Sequence, residues 1–550
     1  MGWGTGPTRC CRLTREPGAV NRDVESAALE DLGRSTRLVA GLTLLSRISG
    51  FARIVIVTAV LGRTALGDVY QSVNLVPNLV FELVAAGTLQ AVLLPTLVGA
   101  EESGGPRRAE ALANIVLGWV LVGLGALAVL LAALSPIVIR LLFAGGSDMV
   151  RADKVELGVP FLLVFAPQLV CYGAGLVAAA VLQAKHRFGP PAVAPLVNNI
   201  VVITCYVIFD QLRSDTRPSL ELTGGQIAVL AGGTTLGVIA FTAVPVIAAA
   251  RTGIRWRPSL RRDDPALHGL VRSGAWAGAT VAATQLLTAA VLVIGNGVEG
   301  AIPTFFLAFA VFQLPYALVA VPLATTRAPL ASRRWVADDP AGAAGLVREG
   351  LVPTIGVLAA AGAAMVALAW PIVRVLAFGE AAAGDLGPLA HAVAAFGPGL
   401  AAYGALFYLT RISFAVDQPR PPAVAAALTT ACGAAAMVIF AGVVADDERA
   451  AVLAACFSAA PVVGTVVLAG ALSRCLGRRL VSPRLVGGAL VAAAGTGAAM
   501  AVVAAVLDTA GRPANLAVLI VAGAAGLVVA AVAFPACTGR PLRELVGAAS

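Results

Sequence analysis

Two arginines and a stripe of amides carry the chemistry of this chain. Arg47 and Arg53 sit in an apolar segment, TLLSRISGFARIVIVTAVLG (43–62), and Gln71, Asn74, Asn78 and Glu82 follow in the next one. The stripe advances by three, four and four residues, which places its members on one face of a helix. A charge near the bilayer centre costs at least about 2.5–3.5 kcal/mol, so such residues face a bundle interior or a water-filled cavity rather than lipid. A guanidinium binds phosphate oxygens in a bidentate fork and stays charged throughout. The two arginines are six residues apart, so they point about 120° apart and sit about 9 Å apart along the axis. They can flank one cavity without sharing a face. Glu82 can pair with Arg53 or accept a proton. Asp68 opens the second helix, where a carboxylate is favoured by the helix dipole whether or not it gates anything. Pro77 is expected to bend the helix within the stripe. The alternative for Arg47 is that it snorkels to the membrane surface.

Such residues need an apolar frame, and the composition supplies one. The chain has 550 residues, is 59% hydrophobic and 13% charged, and has a mean hydropathy of +0.88. Soluble domains carry about 25% charged residues. Apolar blocks long enough to cross about 30 Å of hydrocarbon recur from end to end, without the alternation of a membrane β-barrel. The expected fold class is therefore an all-α polytopic membrane protein with about 14 transmembrane helices. The spans are placed at 37–61, 70–99, 112–134, 158–183, 190–209, 226–250, 273–295, 302–326, 349–369, 387–410, 421–444, 450–472, 485–507 and 515–537.

Charge sets the orientation. With the N-terminus inside, 28 of the 39 Lys and Arg fall on inside segments and 9 on outside ones. That asymmetry places both termini in the cytoplasm of a multi-pass plasma-membrane protein. A net charge of +9 spread over alternate loops is not a nucleic-acid footprint. Residues 1–36 are expected to be a disordered basic tail holding Cys10 and Cys11. The cysteines form no CxxC pair and the three histidines lie far apart, so no metal site is expected. No cofactor is expected, and no P-loop, nucleophile elbow or HExxH motif argues for an enzyme. Lys185, His186 and Arg187 read as a short inside loop that anchors topology. Asn198 and Asn199 read as interhelical hydrogen-bonding groups.

The chain also repeats itself. SPIVIRLLF (135–143) resembles WPIVRVLAF (370–378), PPAV recurs at 190–193 and 421–424, and LLPTLV (93–98) loosely matches RAPLAS (327–332). The offsets are 235, 231 and 234 residues, close to constant. An offset of six helices gives two parallel repeats, a common transporter design. The expected units are the tail 1–36, an N-lobe 37–250, a basic linker 251–272, a C-lobe 273–480, and two extra helices with a short tail, 481–550.

SRISGFAR (46–53), GDVYQSVNLVPNL (67–79), AAGTLQAVLLPTL (85–97), LQAKHRFGPPAVAPLVNN (182–199) and FQLPYALVAVPLATTRAPLAS (312–332) together resemble the MurJ/MviN family of lipid II flippases, in its actinobacterial form. The resemblance covers roughly residues 37–480. It implies the multidrug/oligosaccharidyl-lipid/polysaccharide superfamily. The substrate it implies is an undecaprenyl-pyrophosphate-linked peptidoglycan precursor, moved from the inner to the outer leaflet by alternating access. The partners it implies are that precursor, membrane lipids and cell-wall synthesis proteins. The family's first-helix arginines match Arg47 and Arg53, and its acid opening the second helix matches Asp68. Its basic residues after the PN pair are replaced by Phe81 and Glu82. Its eighth-helix arginine has no counterpart in AFAVFQLPY (308–316), which leaves Gln313 as that helix's candidate cavity residue. The carboxylates of a sodium site described for some members are absent from 273–295 and 421–444. The alternatives are an exporter of another lipid-linked glycan or small molecule in the same superfamily, or a non-transporting scaffold for envelope synthesis.

Overall fold

The computed structural model describes residues 20–145, 148–213, 219–261, 265–507 and 511–538, with side chains outside 20–40, 85–92, 148–150 and 265–274. Cys10, Cys11 and the expected tail up to residue 19 lie outside the described residues, as do 262–264 of the expected linker and 539–550. Among the described residues the chain is helical, and thirteen helices are long and apolar enough to cross a membrane. A fourteenth path follows from the break described below.

The first half holds α1 (Val20–Leu61), α2 (Ala65–Phe81), α3 (Gly87–Ala133), α4 (Ser135–Leu142), α5 (Asp148–Phe165), α6 (Gln168–Ala184), α7 (Gly189–Leu212), α8 (Gly224–Ile227) and α9 (Gly233–Ala250). The second half holds α10 (Pro265–Gly295), α11 (Ala301–Val336), α12 (Pro340–Ala367), α13 (Ala369–Leu376), α14 (Gly387–Phe396), α15 (Leu400–Ala415), α16 (Arg420–Ala441), α17 (Arg449–Ala459) and α18 (Pro461–Cys475). Two more, α19 (Pro483–Val506) and α20 (Arg512–Thr538), pack on each other and on α12. An apolar hollow of about 340 Å³ lies among these three, walled by small residues such as Ala360, Ala493 and Gly526 and by Phe534.

Three local features differ from the sequence expectations. First, α1 begins at Val20, inside the stretch expected to be disordered. The reason is local propensity: VNRDVESAALEDL (20–32) is free of Gly and Pro and holds several good helix formers. Second, α2 ends in a π turn at Glu82–Ala86, where the chain packs on α10. Third, α3 is two helices joined at Gly105 (φ 73°, ψ −177°), with Pro106 opening the second. A positive φ suits glycine, and proline suits a first helical turn because its missing N–H would be unpaired there anyway. The second expected span is thus α2, the π turn and the first part of α3.

The repeat recurs in the backbone. The turn after α6 places His186 at φ 56°, and the turn after α15 places Asp417 at φ 54°, 231 residues later. Both close with the same three bonds: Lys185, His186 and Arg187 N–H to the carbonyls of Val181, Gln183 and Leu182, and Val416, Asp417 and Gln418 N–H to those of Ile412, Phe414 and Ser413. Such bonds satisfy carbonyls that a helix end leaves free. Thr235 donates to the Val164 carbonyl at 3.0 Å, and Ser458 to that of Ala395, again 231 residues on, at 3.0 Å. Thr242 to Cys171 and Thr465 to Ala402 repeat the pattern. The underlying match, FAPQLVCYG (165–173) against FGPGLAAYG (396–404), is longer than those on which the sequence argument stood. Each half has its own buried core, one running from Val57 to Ile254 and another from Leu287 to Phe457.

The linker lies against the first half. The N–H groups of Arg257 and Ser259 donate to the Asn114 side chain (2.8 Å) and carbonyl (3.0 Å), and Asn114 Nδ2 donates to the Arg255 carbonyl at 3.0 Å. Gly118 makes this approach possible, since a Cβ there would stand 2.3 Å from the Ser259 oxygen.

Candidate functional site

Hydropathy patterning buries one face of α2 against α5 and α6 and leaves its amide stripe beside α1. The stripe opens onto a cavity of about 270 Å³ lined by Arg53, Tyr70, Gln71, Asn74, Asn78, Tyr172, Asn198 and Tyr206, closed on the C-lobe side by Phe306. Three of the sequence candidates, Arg53, Asn74 and Asn78, therefore meet in one place. Gln71 joins them, and its Nε2 is buried without a hydrogen-bond partner among the described residues, as is Asn198 Oδ1. Tyr70, buried, shares hydrogen bonds of 2.7 Å with both the Tyr206 hydroxyl and Thr234 Oγ1, and its ring meets Phe161, Phe165 and Tyr206 edge-on. These contacts fix the aromatic wall. Asn199 turns the other way and donates to Ser49 at 2.9 Å, an interhelical bond as expected.

Glu82 does not line this cavity. No carboxylate lies within ion-pair distance of Arg53 among the described residues, so the Arg53–Glu82 pairing is corrected. The cause is the π turn, which starts at Glu82 and packs its segment toward α10. Arg47 is absent from the lining too. It is exposed and faces the other half, where the Tyr316 hydroxyl lies within electrostatic reach of both Arg47 and Arg411. The 120° divergence of the two arginines thus serves two different walls. Gln313 is half-buried on α11, one turn before Tyr316, and is likewise outside the cavity lining.

Asp68 does something the sequence only partly showed. Its own helix is capped by Thr64, so N-capping of α2 is not its role. Fully buried, its carboxylate accepts from Lys154 Nζ at 3.0 Å, from the Gly300 N–H at 2.9 Å and from the Ile302 N–H at 3.3 Å. It therefore caps α11 in the opposite half, where the dipole favours an anion. Lys154 was counted only as an outside-loop charge. It is 3% exposed. The available signal was its type, since it is one of only two lysines in the chain.

Other bonds join the halves around this point. Ser72 and Asn296 bond reciprocally at 2.9 and 3.1 Å, the Ala65 N–H donates to Glu299, Arg63 donates to the Ala383 carbonyl, and Arg213 reaches Glu380. At the far ends of the helices, bonds stay within each half: Arg255 N–H to Glu110 and Lys185 to Thr252 in one, Arg327 to Glu349 in the other.

The counterpart of the cavity in the second half is filled. Tyr403 stands where the repeat places the equivalent of Tyr172, and its ring meets Phe312 and Tyr316 at 5.1 and 4.9 Å. Phe305, Phe309, Phe396 and Phe457 pack the space around them. Among the described residues, no group of His, Cys, Asp and Glu could hold a metal ion.

A family model described as lipid II flippase MurJ matches residues 57–520. A probable lipid II flippase MurJ of Rhizobium meliloti is 27% identical over 393 residues, covering 71% of this chain and 72% of that protein. One of Rhizobium tropici is 28% identical over 276 residues, covering half of each chain. A solved lipid II flippase MurJ in an inward closed conformation superposes with a TM-score of 0.73 at 18% identity, covering 92% of this chain and all of that one. An inward-facing multidrug transporter of the MATE family and MOP superfamily follows with a TM-score of 0.61 at 14% identity, covering 80% of this chain and 98% of its own.

Proposed function

We propose that this chain, which belongs to the lipid II flippase MurJ family, moves the lipid-linked peptidoglycan precursor from the inner to the outer leaflet of the plasma membrane. The observation that carries the reading is the polar cavity: a guanidinium, three amides and three tyrosines enclosed in an otherwise apolar bundle. Arg53 supplies the charge that a diphosphate needs, and the amides and hydroxyls supply neutral donors for the remaining oxygens. Arg47, Arg53, Asn74 and Asn78 are the substrate contacts, with Gln313 and Glu82 further along the path. Asp68 and Lys154 form the gate at the outer end, and both termini face the cytoplasm. The two lobes alternate access. Bonds between lobes at the Asp68 end, and bonds within lobes at the other, are what one state of such a cycle requires. Cell-wall synthesis proteins are the partners that would consume the product.

Depleting the protein and measuring the precursor in each leaflet tests this. The expected result is accumulation in the inner leaflet. An unchanged distribution, in cells without a second flippase, overturns the reading.

A further inference from the structure

We infer that Arg411 of α15 and Arg47 of α1 form a second anion-binding subsite, one cation from each lobe, for the diphosphate of a prenyl-linked ligand. The inference rests on the transport reading above and adds Arg411 and Tyr316 to it. Arg411 stacks its guanidinium over the Phe407 ring at 5.3 Å, and Phe407 meets Tyr316 edge-on at 5.2 Å. Tyr316 is held on its other side by Tyr403 at 4.9 Å, so its ring cannot turn away. Its hydroxyl makes no hydrogen bond to a described residue, and it lies within electrostatic reach of both Arg47 and Arg411. Both arginines are exposed, and neither has a carboxylate within ion-pair distance among the described residues. Two like charges brought to one hydroxyl in apolar surroundings repel each other unless an anion sits between them.

A diphosphate satisfies the whole arrangement. Each guanidinium takes a pair of oxygens and the tyrosine donates one further bond. The Phe407 ring holds Arg411 in place by a cation–π contact, which leaves its N–H edges available. Arg53 lies one and a half turns further along α1, closer to the Asp68 junction. The pair therefore precedes the polar cavity on the way in. A ligand held by cations from both lobes favours the lobe arrangement that brings them together, and only through that difference in affinity can it drive the cycle.

The test uses the full chain in nanodiscs and native mass spectrometry, with undecaprenyl diphosphate and undecaprenyl monophosphate as probes. The wild type is expected to prefer the diphosphate. Arg411→Ala should lower that preference about tenfold, the scale of one lost charge-assisted contact, and Arg411→Lys should restore part of it. Arg420→Ala, which removes an arginine stacked over Trp276 elsewhere, should leave the preference unchanged. Arg47→Ala combined with Arg411→Ala should lose less than the two single losses together. The inference is overturned if Arg411→Ala keeps the wild-type preference, if it weakens both lipids equally, or if Arg420→Ala does the same. Loss of both lipids by the wild type itself overturns the transport reading, and this inference with it.

Discussion

At the scale of single residues, the decisive distinction is between a charge that has a partner and one that waits for it. Asp68 has its partners: a lysine and two backbone N–H groups, all within 3.3 Å. Removing one member of a buried ion pair costs about 3–5 kcal/mol, because the other charge is left uncompensated. Lys154→Met should therefore lower thermal stability strongly, and Asp68→Asn combined with Lys154→Met should be milder than Lys154→Met alone. Thermal unfolding in detergent measures both. Arg53 is the opposite case, lining a cavity with no carboxylate beside it. Arg53→Ala should abolish complementation of a depleted strain while membrane levels stay near normal. Arg53→Lys should rescue in part, since it keeps the charge and loses the fork. Complementation scored together with membrane abundance decides this, and an inactive Arg53→Ala that has vanished from the membrane would make Arg53 structural. The amide stripe was legible because a step of three or four residues is a property of one helix. Lys154 and the Tyr70–Tyr206–Thr234 set were not, because their partners lie 86, 136 and 164 residues away.

At the scale of elements, what the sequence hides is where a helix changes its winding. The face through Gln71, Asn74 and Asn78 follows the ideal period. The π turn at Glu82 interrupts it, and nothing in ELVAA (82–86) marks the site in a single sequence. The outside arginines show the same limit from the other side. Arg63, Arg213 and Arg512 blur the charge asymmetry, yet each donates to a backbone carbonyl of a neighbouring segment: Ala383, Val60 and Ala377. They are fastenings, which a count of loop charges treats as noise. The linker offers a test at this scale. Gly118→Val should displace the strand 254–261 from α3, because a Cβ would sit 2.3 Å from the Ser259 oxygen. Trypsin cleavage after Arg255, Arg257 and Arg261 should then speed up markedly. An unchanged digestion pattern would mean the contact is dispensable for seating the linker.

At the scale of the whole molecule, the two halves share a backbone plan and differ in what fills it. One keeps a hollow with Arg53 and Tyr172, while the other closes the same place with Tyr403 and a cluster of phenylalanines. The repeat was visible in sequence because helix ends and proline pairs are local. The asymmetry was not, because Tyr172 and Tyr403 are the same residue type and only their neighbours differ. Alternating access needs the junction at the Asp68 end to open, and Ser72 with Asn296 is the place to prevent it. Their side chains bond reciprocally at 2.9 and 3.1 Å across the lobes, both buried. Ser72→Cys with Asn296→Cys should form a disulfide under oxidation, covalently joining α2 to the end of α10. If the lobes must part there, the oxidised protein should fail to move precursor to the outer leaflet. Reduction should restore it, and each single cysteine variant should be active under both conditions. Full activity with the crosslink formed, verified on a non-reducing gel, would show that transport does not need this end to open.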